Sequence, residues 1–156
     1  MSQSSESRFV YVIFIRTTPE RLWSALTDPK QMKEYWFGMH IKTEWRKGAE
    51  WQMVFPDGRV ADTGEILELE RPKRIQLKWQ NEFKPELKAE GFSLCTMELE
   101  PVGGAVRLTL THTIERADSG FIRAVSGGWP KILSNLKSLL ETGQITLTET
   151  DHSHAR

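Results

Sequence analysis

Gly127-Gly128-Trp129-Pro130-Lys131-Ile132-Leu133-Ser134-Asn135-Leu136-Lys137-Ser138-Leu139-Leu140-Glu141 places Trp129, Ile132, Leu133, Leu136, Leu139 and Leu140 three and four residues apart. At the helical period this spacing gathers them into one broad apolar stripe. Pro130 has no N–H and fits a first helical turn, and Gly127-Gly128 frees the backbone to bend just ahead of it. The pattern therefore predicts a helix beginning at about residue 128. Gly143 stands where a C-terminal cap is expected. So wide a stripe needs a large apolar partner, and the remaining chain reads as a sheet.

Phe9-Val10-Tyr11-Val12-Ile13-Phe14-Ile15 is β-branched and aromatic throughout, which predicts a strand buried on both faces. Thr18-Pro19-Glu20 then starts a short helix with Thr17 or Thr18 as its cap, and Leu22, Trp23 and Leu26 form its buried side. Asp28 caps a second helix, with Gln31 at the capping-box position and Gly38 as its stop. From residue 40 the period falls to two. Trp51, Met53 and Phe55 alternate with Glu50, Gln52 and Val54, and Phe55-Pro56-Asp57-Gly58-Arg59-Val60 reads as a hairpin. The next strand slips its alternation between Ile66 and Leu67, the mark of a bulge or of burial on both faces. Ile75, Leu77 and Trp79 form another inward row. Asn81 to Gly91 is a polar connection around Pro85, in which Lys84, Glu86, Lys88 and Glu90 read as solvated. Cys95, Met97 and Leu99, then Val106, Leu108, Leu110 and His112, supply the last two rows.

The order is one strand, two helices, six strands and a long helix: an α+β domain whose antiparallel meander is covered by its last helix. Residues 1–7 read as a flexible N-terminus, 8–142 as a single domain and 143–156 as a polar tail. Lys+Arg and Asp+Glu both number 21, so no basic excess points to nucleic acid. The single cysteine, Cys95, excludes an internal disulfide. The polar start of the chain and the absence of a long apolar run predict a cytoplasmic protein without a membrane span.

The stretches Thr18-Pro19-Glu20-Arg21-Leu22-Trp23-Ser24-Ala25-Leu26-Thr27-Asp28-Pro29, Tyr35-Trp36, Gly64-Glu65-Ile66-Leu67-Glu68-Leu69 before Pro72, Leu108-Thr109-Leu110-Thr111-His112 and Gly128-Trp129-Pro130-Lys131-Ile132-Leu133 occur in this order over residues 8–142. In that order and spacing the chain resembles the activator-of-Hsp90-ATPase-like family of the START/SRPBCC superfamily. The resemblance implies a helix-grip, birch-allergen-like fold. It implies a curved sheet of about seven strands on a long C-terminal helix, with two short helices between strands 1 and 2. It also implies three kinds of role: binding an apolar small molecule or lipid, polyketide cyclisation, or assistance to a chaperone in a stress response. Fold does not choose among them.

Six Trp and seven Phe are many for 156 residues, and a cavity lined by flat side chains is one reading of them, a filled core the other. The candidate ligand-binding residues are Trp36, Phe37, Trp51, Met53, Phe55, Trp79, Met97, Leu110, His112, Trp129 and Leu133. His112 closes an apolar row and reads as a hydrogen-bonded histidine near a strand end rather than a base. Asp62 or Glu65 becomes a pocket acid if the strand slip turns one inward. Cys95 reads as a buried, inert thiol, and His152 with His154 is too small a set for a metal site. No phosphate-cradling Gly loop, HExxH or nucleophile elbow is present, so no catalytic residue, metal or cofactor is assigned. The expected partner is a hydrophobic small molecule or lipid, with a chaperone as the other class; monomer and homodimer both fit.

Overall fold

The computed structural model describes residues 5–148. Its elements run β1 (Ser7–Ile15), α1 (Pro19–Thr27), α2 (Pro29–Tyr35), β2 (His40–Lys42), β3 (Glu50–Val54), β4 (Val60–Glu70), β5 (Arg74–Asn81), α3 (Pro85–Lys88), β6 (Ser93–Val102), β7 (Ala105–Ile114) and α4 (Gly120–Thr142). The seven strands form one antiparallel sheet in the order β1-β7-β6-β5-β4-β3-β2. The first and last strands are thus neighbours, and α1 and α2 carry the chain from β1 at one edge to β2 at the other. The fold is the helix-grip, with α4 packed on the concave face.

Local chemistry sets most boundaries. Thr18 Oγ1 accepts from the Arg21 N–H at 3.1 Å and Pro19 opens α1. Asp28 Oδ1 accepts from the Lys30 N–H at 3.0 Å to start α2. Gln31 turns back to Asp28, though onto its side chain (Nε2 to Oδ2, 3.1 Å). The register of β4 against β5 shifts between Ile66 and Glu68, which decides for a bulge between the two readings of the broken alternation. A second shift, between Met53 and Val54, lies on β3 against β4. Inward residues of β5, β6 and β7 (Ile75, Leu77, Cys95, Met97, Leu108, Leu110) join the α4 stripe in one core.

Two expectations fail on tertiary grounds. β1 is not buried on both faces: Val10, Val12 and Phe14 remain 48%, 47% and 49% exposed. The strand lies at the sheet edge and no layer covers its outer face, whereas Ile15, in the core, is fully buried. The grip helix begins eight residues before Gly128, at Gly120, and Pro130 sits inside it. Its start is fixed from a distance. Ser119 Oγ accepts from the Ile122 N–H at 3.0 Å, and Glu90 receives Ser119 Oγ–H at 2.5 Å, Gly120 N–H at 2.9 Å and Phe121 N–H at 3.3 Å. Glu90 is therefore not a solvated loop charge but a carboxylate seated on the positive end of α4. The connection that holds it contains the short helix α3, also unforeseen.

Burial pushes the Glu90 pKa up, but donation from Ser119, Phe121 and Gly120, with Arg116 nearby, outweighs it, and the carboxyl ends below its ordinary value. A depressed carboxyl stabilises the fold above its unfolded pKa, and that contribution disappears as pH falls through the folded one. Glu90→Gln is expected to lose about 1 kcal/mol at pH 7. Denaturant unfolding should show wild type and variant converging as pH falls below the ordinary carboxylate range. Equal stability at pH 7 would remove Glu90 as the cap.

Gly143 adopts φ 83° and its N–H reaches Leu139 O at 2.9 Å, the expected C-cap. The segment after it is tied down: buried Asn135 accepts from Thr146 N–H (2.9 Å) and Leu147 N–H (2.7 Å) through Oδ1. Its Nδ2 donates to Leu147 O at 3.0 Å. His152 and His154 lie outside the described residues. Among the described residues no helix is long and apolar enough to cross a membrane.

Candidate functional site

Between the end of the β4–β5 hairpin and the first half of α4 lies a partly open cavity. Alternation on β5 turns Trp79 and Asn81 inward, and the pairing of Asn81 with Asp62 on β4 puts that carboxyl on the same wall. Trp36 enters where α2 stops. Its N–H still bonds Met32 O at 2.7 Å, but Phe37 (φ 53°) and Gly38 (φ 85°) reverse the chain immediately afterwards. From α4 come Phe121, Val125, Trp129 and Ile132, four positions on one helical face, with Ala124 and Gly128 beside them. Phe83, Lys84 and Leu87, from the α3 connection, form the opposite lip.

The rings pack on one another. Trp129 meets Trp36 edge-on at 5.1 Å and Trp79 at 5.8 Å, while Trp36 and Trp79 lie nearly parallel at 6.5 Å. Trp51 stands edge-on to Trp79 at 4.7 Å, behind the wall. The enclosed free volume is about 30 Å³, room for a water or two, whereas the depression with its mouth measures about 470 Å³. An interior of this size admits a bicyclic guest only if its walls move apart.

The polar groups divide into spent and unspent. Asn81 Oδ1 accepts from the Lys84 N–H at 2.9 Å, leaving Nδ2 directed to Asp62 Oδ1 at 3.4 Å. Trp51 Nε1 donates to Lys78 O at 3.1 Å, and Trp129 Nε1 to His112 Nδ1 at 3.1 Å. Trp36 Nε1 and Trp79 Nε1 are buried and have no hydrogen-bond partner in the protein.

His112 is fully buried and committed. An indole only donates, so Nδ1 must accept from Trp129 and Nε2 must carry the proton. Nε2–H donates to Ser93 Oγ at 2.9 Å, and Ser93 Oγ–H passes on to Trp79 O at 3.2 Å. Desolvation lowers its pKa to about 3, so the ring is neutral. With both nitrogens occupied, it holds two tryptophans in place and has no atom left for a substrate proton.

The sequence profile of the family described as activator of Hsp90 ATPase homolog 1-like protein matches residues 16–141. The chain belongs to this family. Among solved structures it is similar to protein MLL2253 from Mesorhizobium loti (TM-score 0.75, 23% identity, 89% of this chain and 100% of that one). It is also similar to the Aha1 dimer from Colwellia psychrerythraea (0.71, 20% identity, 88% and 98%). A third is PFC0360w, an HSP90 activator from Plasmodium falciparum (0.70, 23% identity, 85% and 95%). At such identities the likeness shows the fold. No curated protein matches the chain.

Within this Hsp90-activator-like frame, Trp36, Trp79 and Trp129 of the candidate residues come together on the cavity wall. Trp51, Met53, Met97, Leu110 and Leu133 are core residues outside its lining, as is the buried Phe37. Phe55 packs edge-on against Phe83 at 5.2 Å, with the Arg59 guanidinium 4.8 Å above its ring. Asp62 is turned inward and only 2% exposed, while Glu65 on the other parity is partly exposed. Cys95 is fully buried and its thiol is pushed up by desolvation. Among the described residues no group of His, Cys, Asp and Glu can hold a metal.

Phe121, Val125, Phe83 and Asn81 were not foreseen. Phe121 and Val125 continue the spacing of Trp129 and Ile132 upstream, a signal hidden by reading Gly127-Gly128 as a boundary. The α3 lip carries no periodicity to find.

Proposed function

We propose that the chain is a binding module that takes an apolar or aromatic small molecule between the β4–β5 wall and the first half of α4. The carrying observation is a partly open cavity whose lining brings Trp36, Trp79 and Trp129 together. Apolar walls with few polar groups are the usual composition of ligand pockets. Access runs past Ala124 and Val125 on one lip and Phe83 on the other. Pro130 removes the N–H that would tie Ser126 O into the helix, and two glycines precede it, so this turn of α4 holds its conformation weakly.

The test is a nitrogen–proton spectrum of the six indole signals during titration with fatty acids, flavonoids and polycyclic aromatics, alongside thermal melting. A ligand at a hundred times its Kd is expected to add about 2.7 kcal/mol, and the Trp36, Trp79 and Trp129 signals should move together. Ala124→Trp, which fills the mouth from a partly exposed position, should abolish the shifts and leave the melt in place. If no compound moves any indole, the aromatics are core and the reading is wrong.

A second reading, an enzyme of the cyclase kind, is favoured by Asp62, a buried carboxyl oriented by Asn81 on the cavity wall. It requires Asp62→Asn to preserve binding and abolish turnover of a bound chain. Family membership brings a chaperone as a further partner class, and a pull-down that recovers no chaperone would count against it.

A further inference from the structure

Resting on the binding reading above, we infer that the cavity selects an uncharged planar guest carrying a carbonyl oxygen, read by the indole N–H groups of Trp36 and Trp79. Four tryptophans meet here, and the fold treats their donors unequally. Trp51 and Trp129 spend theirs on Lys78 O and His112 Nδ1, both at 3.1 Å. Trp36 and Trp79 are 5% and 4% exposed, yet neither N–H has a partner in the protein. Buried donors are nearly always satisfied, and each one left without a partner is a standing cost that an acceptor relieves. Both rings line the same cavity and lie nearly parallel at 6.5 Å. On this inference an acceptor that enters the cavity takes up these two donors, in surroundings of low dielectric where each bond is worth more than in water.

The chemistry of the rest of the wall narrows the class. Trp129 and Phe121 offer aromatic surface, which fits a flat guest. Asp62 shares the cavity and is itself buried, so a carboxylate guest would set a second carboxyl group beside it in a site with little water, where two such groups resist ionising together. A neutral ketone oxygen takes the indole donors without that repulsion.

The probes are 1-indanone, indane and indane-1-carboxylate, one bicyclic skeleton with a carbonyl, without it, and with a charge. Affinities come from titration of the wild-type indole spectrum, with Trp36→Phe and Trp79→Phe assigning two of the signals. The expected result is that 1-indanone binds at least tenfold more tightly than indane and more tightly than the carboxylate, and that the Trp36 and Trp79 N–H signals move downfield with the ketone alone. Each Phe variant should erase most of the ketone preference, the ratio of 1-indanone to indane affinity falling toward one whatever happens to the absolute affinities. Equal binding of 1-indanone and indane overturns the acceptor inference and leaves the binding module intact. Tighter binding of the carboxylate overturns the uncharged class. If no probe binds and no indole moves, the cavity reading itself falls. The wild-type comparison decides these outcomes even if a Phe variant fails to fold.

Discussion

Gly64→Ala is expected to cost about 3–5 kcal/mol. Gly64 sits on the inward parity of β4, paired with Trp51 on one side and Trp79 on the other. A β-carbon there would lie 1.6 Å from Lys78 O and 2.7 Å from Trp51 Nε1. It would stand in the path of the bond that Trp51 donates to Lys78, so the substitution overpacks the wall and strips a buried donor of its acceptor at once. Neither contact can yield by a rotamer change, since one is backbone and the other a ring locked against Trp79. Losing this much from a domain whose total is of order 5–15 kcal/mol leaves it marginal. Gly104→Ala, at a turn with open space around it, should change stability by no more than about 0.5 kcal/mol. Equilibrium unfolding of both variants checks the pair, and an unchanged midpoint for Gly64→Ala would show that β4 and β5 can part without penalty.

The second large effect belongs to His112. His112→Phe keeps a ring in the core but leaves Trp129 Nε1 without an acceptor and Ser93 without its donor, an expected loss of about 2–4 kcal/mol at pH 8. The pH dependence gives the substitution a signature beyond packing. The folded pKa of about 3 lies below the unfolded value of 6.5. Below pH 6.5 the unfolded chain therefore binds a proton that the folded chain refuses. Stability contributed by this group falls with acidification, at up to about 1.4 kcal/mol per pH unit, and the fall continues until pH reaches about 3. Phenylalanine has no such term. The gap between wild type and variant should therefore shrink by about 2 kcal/mol between pH 8 and pH 5. Urea unfolding at both values measures it, and a gap that stays constant would mean that His112 already holds a proton in the fold.

Both predictions concern residues whose types were plain in the chain but whose jobs were not. Gly64 stood within a motif shared with the family, and nothing near it in sequence explained a glycine. The reason is the Lys78 carbonyl, on the neighbouring strand. His112 closed a clean apolar alternation, and that parity placed it inside, but only the positions of Ser93 and Trp129 show that both its nitrogens are used. Asp62 shows the same division. A slip in β4 allowed an inward carboxyl, yet the extra residue lies earlier, at the Met53/Val54 shift, and it is there that pairing sets Asp62 opposite Met53.

The sequence by itself determined the element order apart from α3, the capped starts of α1 and α2, the β3–β4 hairpin, the place where the β4 alternation breaks, the Gly143 cap and the family. Each rests on interactions among residues a few positions apart, where period and propensity carry the information. Tertiary structure alone decided that β1 bares Val10, Val12 and Phe14, since exposure depends on which layer lies above a strand. It decided that α4 starts at Gly120 rather than near Gly128, because its cap, Glu90, is 30 residues away from the first N–H it accepts. It decided, finally, which indoles are satisfied. Four similar side chains from α2, β3, β5 and α4 differ only in what each donor faces across the fold, and that difference defines the candidate site.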